Sequence, residues 1–102
     1  MLSRTADHLY WMARYTERAE NLARMLEVNY RNSLLPQDPE TIEQGWAATL
    51  TIIGLLDAYR ARYGAVTAAN AMAFMAFDRD NPMSIYACLR AARENARAVR
   101  GT

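Results

Sequence analysis

A chain of 102 residues with a net charge of +1 holds one domain at most and carries no overall field that would draw it to nucleic acid or an anionic membrane. Hydrophobic residues make up 52% of it, enough for a small core, and the many alanines favour close-packed helices. The single cysteine, Cys88, excludes an internal disulfide and a cysteine-rich metal site, and its apolar surroundings in sequence predict a small core residue.

The first predicted element is a long helix over 3–34. Residues 1–35 contain no Gly or Pro. Ser3 suits an N-cap, Asp7 suits the early turns, and Pro36 and Pro39 mark the stop. Leu9, Met12, Thr16, Ala19, Ala23, Leu26 and Tyr30 recur every three to four residues as an apolar seam. Asp7, Tyr10, Arg14, Glu17, Asn21 and Arg24 repeat two residues out of step, roughly 200° around the helix, so they form an opposite stripe. Trp11, Tyr15 and Arg18 flank it. Three readings of that stripe stay open: a solvated face laced with pairs such as Arg14–Glu17 and Glu20–Arg24, a recognition face, or a catalytic face.

A second helix is predicted to start near Thr41 or slightly earlier, with Glu40 and Glu43 near its positive end, and to stop at Gly64. Trp46, Leu50, Ile53 and Leu56 form one stripe, with Ile52, Leu55 and Tyr59 beside it, so this helix is expected to be the most buried. Gly54 lies inside it and would allow a neighbour to approach closely. A third helix covers 67–77, with Ala69, Met72, Ala73, Phe74, Ala76 and Phe77 as core candidates.

Residues 78–82 read as a loop in which Asn81 caps and Pro82 takes the first helical position. Asp78 and Asp80 lack the glycine-containing ligand loop of an EF-hand, so capping outweighs cation binding. A fourth helix runs over 82–100, with Ile85, Cys88, Leu89, Ala92, Ala96 and Val99 as its seam. Tyr86, Arg90, Arg93, Arg97 and Arg100 lie opposite, a basic stripe that suits a helix C-terminus. All twelve basic residues of the chain are arginine, whose planar fork matches carboxylates and phosphates.

These elements predict an all-α fold, an antiparallel bundle of about four helices forming a single domain over 1–102. Nothing in sequence seals the bundle beside the fourth helix. That predicts an incomplete part of a larger helical domain, or an oligomer that supplies the missing wall.

No catalytic signature accompanies this pattern. Glu17-x-x-Glu20 is half of a di-metal motif, but the Glu-x-x-His partner is missing and His8 is the only histidine. Cys88 has no histidine near it in sequence, Ser84 reads as part of a helix first turn, and no Gly-rich phosphate loop occurs. Neither metal nor cofactor is expected. The N-terminus lacks a basic region followed by an apolar run, and the apolar stretch 46–56 is too short to span a bilayer. The expectation is a cytoplasmic protein with no membrane and no nucleic-acid partner.

Two longer motifs point further. The opening Met-Leu-Ser-Arg-Thr-Ala-Asp-His-Leu-Tyr-Trp-Met-Ala-Arg-Tyr-Thr-Glu-Arg-Ala-Glu-Asn-Leu-Ala-Arg resembles the start of the bacterial alpha-E domain family. So does Asp-Arg-Asp-Asn-Pro-Met-Ser-Ile from Asp78, followed by Cys88 and by Ala-Arg-Glu-Asn-Ala-Arg from Ala92. The resemblance covers about half the chain and implies an all-helical protein of undetermined chemistry. It implies company with circularly permuted ATP-grasp proteins, and with transglutaminase-like proteins, in a peptide- or amide-ligating system. Members of the family are considerably longer than this chain. By position, the family's polar residues fall on Arg14, Glu17, Arg18, Glu20, Asn21, Arg24, Asp78, Arg79, Asn81, Arg93, Glu94, Asn95 and Arg97.

Three functional expectations follow. The first is an interaction or accessory module in which the two motif-bearing helices gather these residues into a polar cleft along a shared furrow. The second is an enzyme subunit using Glu17 or Glu94 as general base in acyl or amide chemistry. The third is a structural piece whose polar stripes join it to a further helical part or to another copy.

Overall fold

Residues 2–100 are described by the computed structural model, with Leu2 described in its backbone only; Met1, Gly101 and Thr102, part of the predicted 1–102 span, lie outside the described residues. Five helices and no strand occur among the described residues: α1 (Leu2–Ser33), α2 (Pro39–Ile52), α3 (Leu56–Tyr63), α4 (Ala68–Ala76) and α5 (Ile85–Arg100). The fold is all-α. Helix α1 already includes Leu2, so Ser3 sits inside it and is not its cap.

The expected second helix is two helices. After Ile53 the chain enters Gly54 at φ +76°, a conformation that L side chains rarely adopt. Leu55 N–H bonds Leu50 C=O at 2.9 Å and Gly54 N–H bonds Thr51 C=O at 3.0 Å. These are the two bonds of a Schellman stop, which satisfies the carbonyls of the last turn of α2. The β-branched run Thr51-Ile52-Ile53 before the glycine already weakens that turn. The break leaves Ile52 77% exposed, so the helix is not buried all round.

Side-chain caps start α2, α4 and α5, whereas α3 begins after Leu55 without one. Asp38 accepts from Thr41 N–H at 2.7 Å, and Pro39 follows it as the first residue of α2. That bond holds the Asp38 carboxyl below its ordinary pKa. Thr67 caps α4 through Asn70 N–H, and Gly64, at φ +73°, ends α3. Ser84, rather than Asn81, caps α5, accepting from Ala87 N–H at 3.1 Å. Asn81 turns the chain just before that cap: its Oδ1 accepts from Met83 N–H at 3.0 Å, so Pro82 lies in a turn outside the helix.

The core gathers at one end of the molecule. Trp46, Leu50, Tyr59, Phe74, Met75 and Cys88 are fully buried there, with Ala19 and Leu22 of α1 against them. Tyr59 meets Phe74 edge-on at 5.4 Å and stacks on Tyr63 at 5.1 Å. Its hydroxyl donates to Ala65 C=O and accepts from Thr67 N–H, so the buried phenol is satisfied at both capacities. Burial raises the pKa of the Cys88 thiol, while the Arg18 charge lowers it in part.

Three seams differ from expectation; on α5, Cys88 and Ala92 are buried but Leu89 and Ala96 are exposed. On α1, Ala19 and Leu22 are buried and Tyr15, Met25, Leu26 and Asn29 half-buried, while Leu9, Thr16, Ala23 and Tyr30 are exposed. The packed side is rotated from the predicted seam toward Tyr15, Leu22, Met25 and Asn29. On α4, Ala71, Phe74 and Met75 are buried, and Phe77 and Ala69 are exposed, Phe77 because α4 ends at Ala76.

The most extensive helix contact is α1 with α5. His8 meets Asn95 near the end of α5, and Arg18 meets Met83 just before its start, so the two helices run antiparallel. The molecule measures 55 × 26 × 18 Å because this pair extends beyond the core. Between Ser3 and Arg14 no side chain is buried, and only Thr5, His8 and Met12 are half-buried. No helix among the described residues is long and apolar enough to cross a membrane.

Candidate functional site

The thirteen predicted polar residues divide into inward and outward sets. Arg18 points inward. Its guanidinium lies 5.4 Å from the Tyr15 ring centroid and 3.9 Å from Met83 Sδ. The chain extends this stack outward through Tyr15–Trp11 at 5.8 Å and Trp11–Tyr10 at 5.3 Å. An arginine and two aromatic rings, Trp11 and Tyr15, thus run along one side of α1, with Tyr10 edge-on to Trp11 around the helix.

Asn95 also points inward. Its Oδ1 accepts from His8 Nδ1–H at 2.9 Å and its amide donates to Ala91 C=O at 2.8 Å. This bond ties the two motif-bearing helices across 87 positions of sequence. Apolar periodicity could not show it, because a polar pair inside a seam reads as a defect in the pattern.

Asp78 and Asn81 hold the approach to α5. The Asp78 side chain is 5% exposed, receives Arg62 Nε at 3.1 Å and Tyr63 O–H at 3.0 Å, and accepts from Asp80 N–H at 2.9 Å. Arg62 also pairs with Asp80 at 3.2 Å, and that bond raises the arginine's pKa further. Burial, and then the bond to Asp78, raises that of Tyr63. Asn81 is buried and donates to Phe74 C=O at 2.9 Å. Asp78 and Asn81 therefore fasten α3 and α4 to the start of α5. Arg62 and Tyr63, absent from the predicted set, complete that clamp; the sequence signal for them was an Arg-Tyr pair closing a helix before Gly64.

The remaining residues face outward. Arg14–Glu17 at 3.4 Å, Glu20–Arg24 at 3.8 Å and Arg90–Glu94 at 3.4 Å are exposed pairs within single helices, worth a few tenths of a kcal/mol each. Asn21 is exposed. Arg79 stacks over the Tyr86 ring at 5.5 Å. Arg93 and Arg97 line a shallow depression with Ala96 and Arg100 on the outside of α5. With His8 level with Asn95, Arg18 is level with position 85, and Arg93 lies eight residues, about 12 Å, along the axis. The structure packs the two helices together but does not bring Arg93 to Arg18.

On the outer side of this pair, Leu9 and Leu89 are 45% and 51% exposed, and Leu89 lines a shallow groove with Tyr86, Arg90 and Arg93. The geometry offers contact surface, apolar with arginine at its edge. Among the described residues no three His, Cys, Asp or Glu side chains gather at metal-binding distance.

No curated protein and no solved structure matches the chain. A family model does match, over residues 1–102: Alpha-E, described as a predicted alpha-helical domain with a conserved ER motif. The single Glu-Arg dipeptide in the sequence is Glu17-Arg18, where Glu17 faces solvent and Arg18 turns toward the loop before α5. The chain belongs to the Alpha-E family.

Proposed function

We propose that this protein is an interaction module whose two-helix arm, α1 with α5, docks a partner protein. One observation carries the reading. The arm leaves Leu89 of α5 exposed beside Tyr86, Arg90 and Arg93, and Leu9, Tyr10 and Trp11 exposed around the part of α1 where no side chain before Tyr15 is buried. Apolar and aromatic surface edged by arginine is the composition of interface centres and their anchors.

The partner proposed is a circularly permuted ATP-grasp protein, with a transglutaminase-like protein as the other candidate, and the role is accessory to peptide or amide ligation. The family resemblance supports this choice. Arg93, Arg97 and Arg100 supply forks that suit a carboxylate-rich partner or product. Glu17 and Glu94, the general-base candidates, lie in exposed ion pairs, and no observation favours the enzyme reading over docking.

The test is a binding titration of the full chain against the ATP-grasp protein. Trp11→Ala and Leu89→Ala should each weaken binding by about tenfold or more, as truncated interface anchors do. Equal affinity of parent and both variants would overturn the proposal, as would absence of binding.

A further inference from the structure

A second candidate site lies away from the arm and is independent of the docking reading. Between the end of α1 and the first turns of α2 there is a cleft of about 240 Å³. Asn29, Asn32, Ser33, Gln37 and Thr41 give it polar walls, Leu35 and Ile42 add apolar ones, and no charged side chain lines it.

Two groups there are left without partners. Trp46 lines the cleft and is fully buried, yet its indole Nε1–H, a donor only, meets no acceptor. A buried donor left unpaired is costly, and native interiors seldom keep one without a reason. The second group is the Asn29 carbonyl. Asn29 Nδ2 donates to Met25 C=O at 3.2 Å and to Thr49 Oγ1, which fixes the amide's orientation. Its Oδ1 is thereby turned toward Gly45, also in the cleft wall, 3.8 Å from where a Cβ on that glycine would stand.

One unpaired donor and one open acceptor in an uncharged cleft match a group that carries both. We propose that this cleft binds a neutral carboxamide, whose NH2 donates to Asn29 Oδ1 and whose C=O accepts from Trp46 Nε1. An ionised carboxylate brings two acceptors and no donor, and loses its hydration to walls with no countercharge. The volume is below that of sites for drug-sized ligands, and fits a group the size of a glutamine side chain. Trp46 Nε1 is closed to water, so the incoming carbonyl displaces part of the wall; Leu35, 60% exposed in the turn after α1, is the least packed part of it.

The chemistry is shared by a free amide and by a glutamine or asparagine within a polypeptide, and the test separates them. N-acetylglutamine methylamide is titrated into the full isotope-labelled chain while both indole N–H resonances are followed, with Trp11 on the arm as internal control. The expected result is a saturable shift of the Trp46 resonance alone. N-acetylglutamate methylamide at neutral pH should leave it unmoved. A response only to a blocked octapeptide with one central glutamine also supports the site and assigns the amide to a polypeptide.

Gly45→Ala supplies the variant. A Cβ there meets only ordinary contact and alanine favours the helix, so the chain folds at least as well while the new methyl narrows the cleft beside Asn29 Oδ1. Binding should fall by about tenfold. No saturable Trp46 shift with either amide, an equal response to the glutamate compound, or undiminished binding by Gly45→Ala would overturn the proposal. None of these results bears on whether Trp11 and Leu89 bind a partner.

Discussion

The two ends of this molecule solve the problem of burial differently. At the core end, α2, α3 and α4 wrap the second half of α1 and the start of α5, and Trp46, Tyr59, Phe74 and Met75 are removed from water. At the arm end, α1 and α5 have chiefly each other, and a pair of helices covers only one side of each. The core end has exposed apolar residues too, such as Ile52 and Phe77, but they stand beside a closed core, whereas on the arm no α1 side chain before Tyr15 is buried. The difference teaches that burial is concentrated in one half, where the Asp78–Asn81 clamp fastens α3 and α4 to the start of α5, while the proposed docking surface lies on the other.

Mutations should separate the two halves. The largest effect is expected from Phe74→Ala, which empties a site enclosed by Tyr59 and Tyr63 and should cost about 3–5 kcal/mol in denaturant unfolding. Asp78→Ala should cost about 2 kcal/mol, because it removes the acceptor of the half-buried Tyr63 hydroxyl and of the Asp80 amide, while Arg62 keeps its pair with Asp80. A loss under about 1 kcal/mol would mean that α3 is not held to the approach of α5 through this carboxylate.

Smaller effects are expected on the arm. Asn95→Ala removes the tie to His8 and should cost about 1 kcal/mol, with the added amide exchange confined to the first half of α1 and the second half of α5. Leu9→Ala should change the unfolding free energy of the isolated chain by less than about 0.5 kcal/mol. A loss near that of Phe74→Ala would erase the distinction between the halves.

The smallest effect is a pH effect at Asp38. Its carboxyl is held below its ordinary value by the Thr41 bonds, so the cap contributes fully above the unfolded-state value of about 3.9. That contribution is lost as pH falls through the lower folded value. The Thr41 amide proton should shift on acidification toward about pH 2, and Asp38→Asn, which keeps an acceptor, should remove that titration. An Asp38→Asn chain with the same acid shift would assign it elsewhere.

Much of the scaffold could be read from the sequence. The uninterrupted run before Pro36, the stop at Gly64, the burial of Cys88 and the all-helical class rest on local rules that the fold obeys. What stayed hidden depends on neighbours. Gly54 inside an apolar run reads as helix, and only the turn to Leu55 shows that it stops one. Pro39 reads as a stop of the first helix, but behind the Asp38 cap it is the first residue of α2. Phe77 counts as core by periodicity, but α4 ends one residue earlier. In the site, residue type identified Arg18 and Asn95 but could not show that both turn inward while Arg14, Glu17 and Arg93 turn out. That division is set by the His8–Asn95 and Arg18–Met83 contacts between distant segments.

Native-state hydrogen exchange on the isolated chain measures the asymmetry most directly. Amides of residues 5–14 should exchange through openings well below the global unfolding free energy, and those of residues 46–50 and 71–75 only through global unfolding. Equal protection of both sets would show an arm already as well closed as the core, and would contradict the claim that a partner completes it.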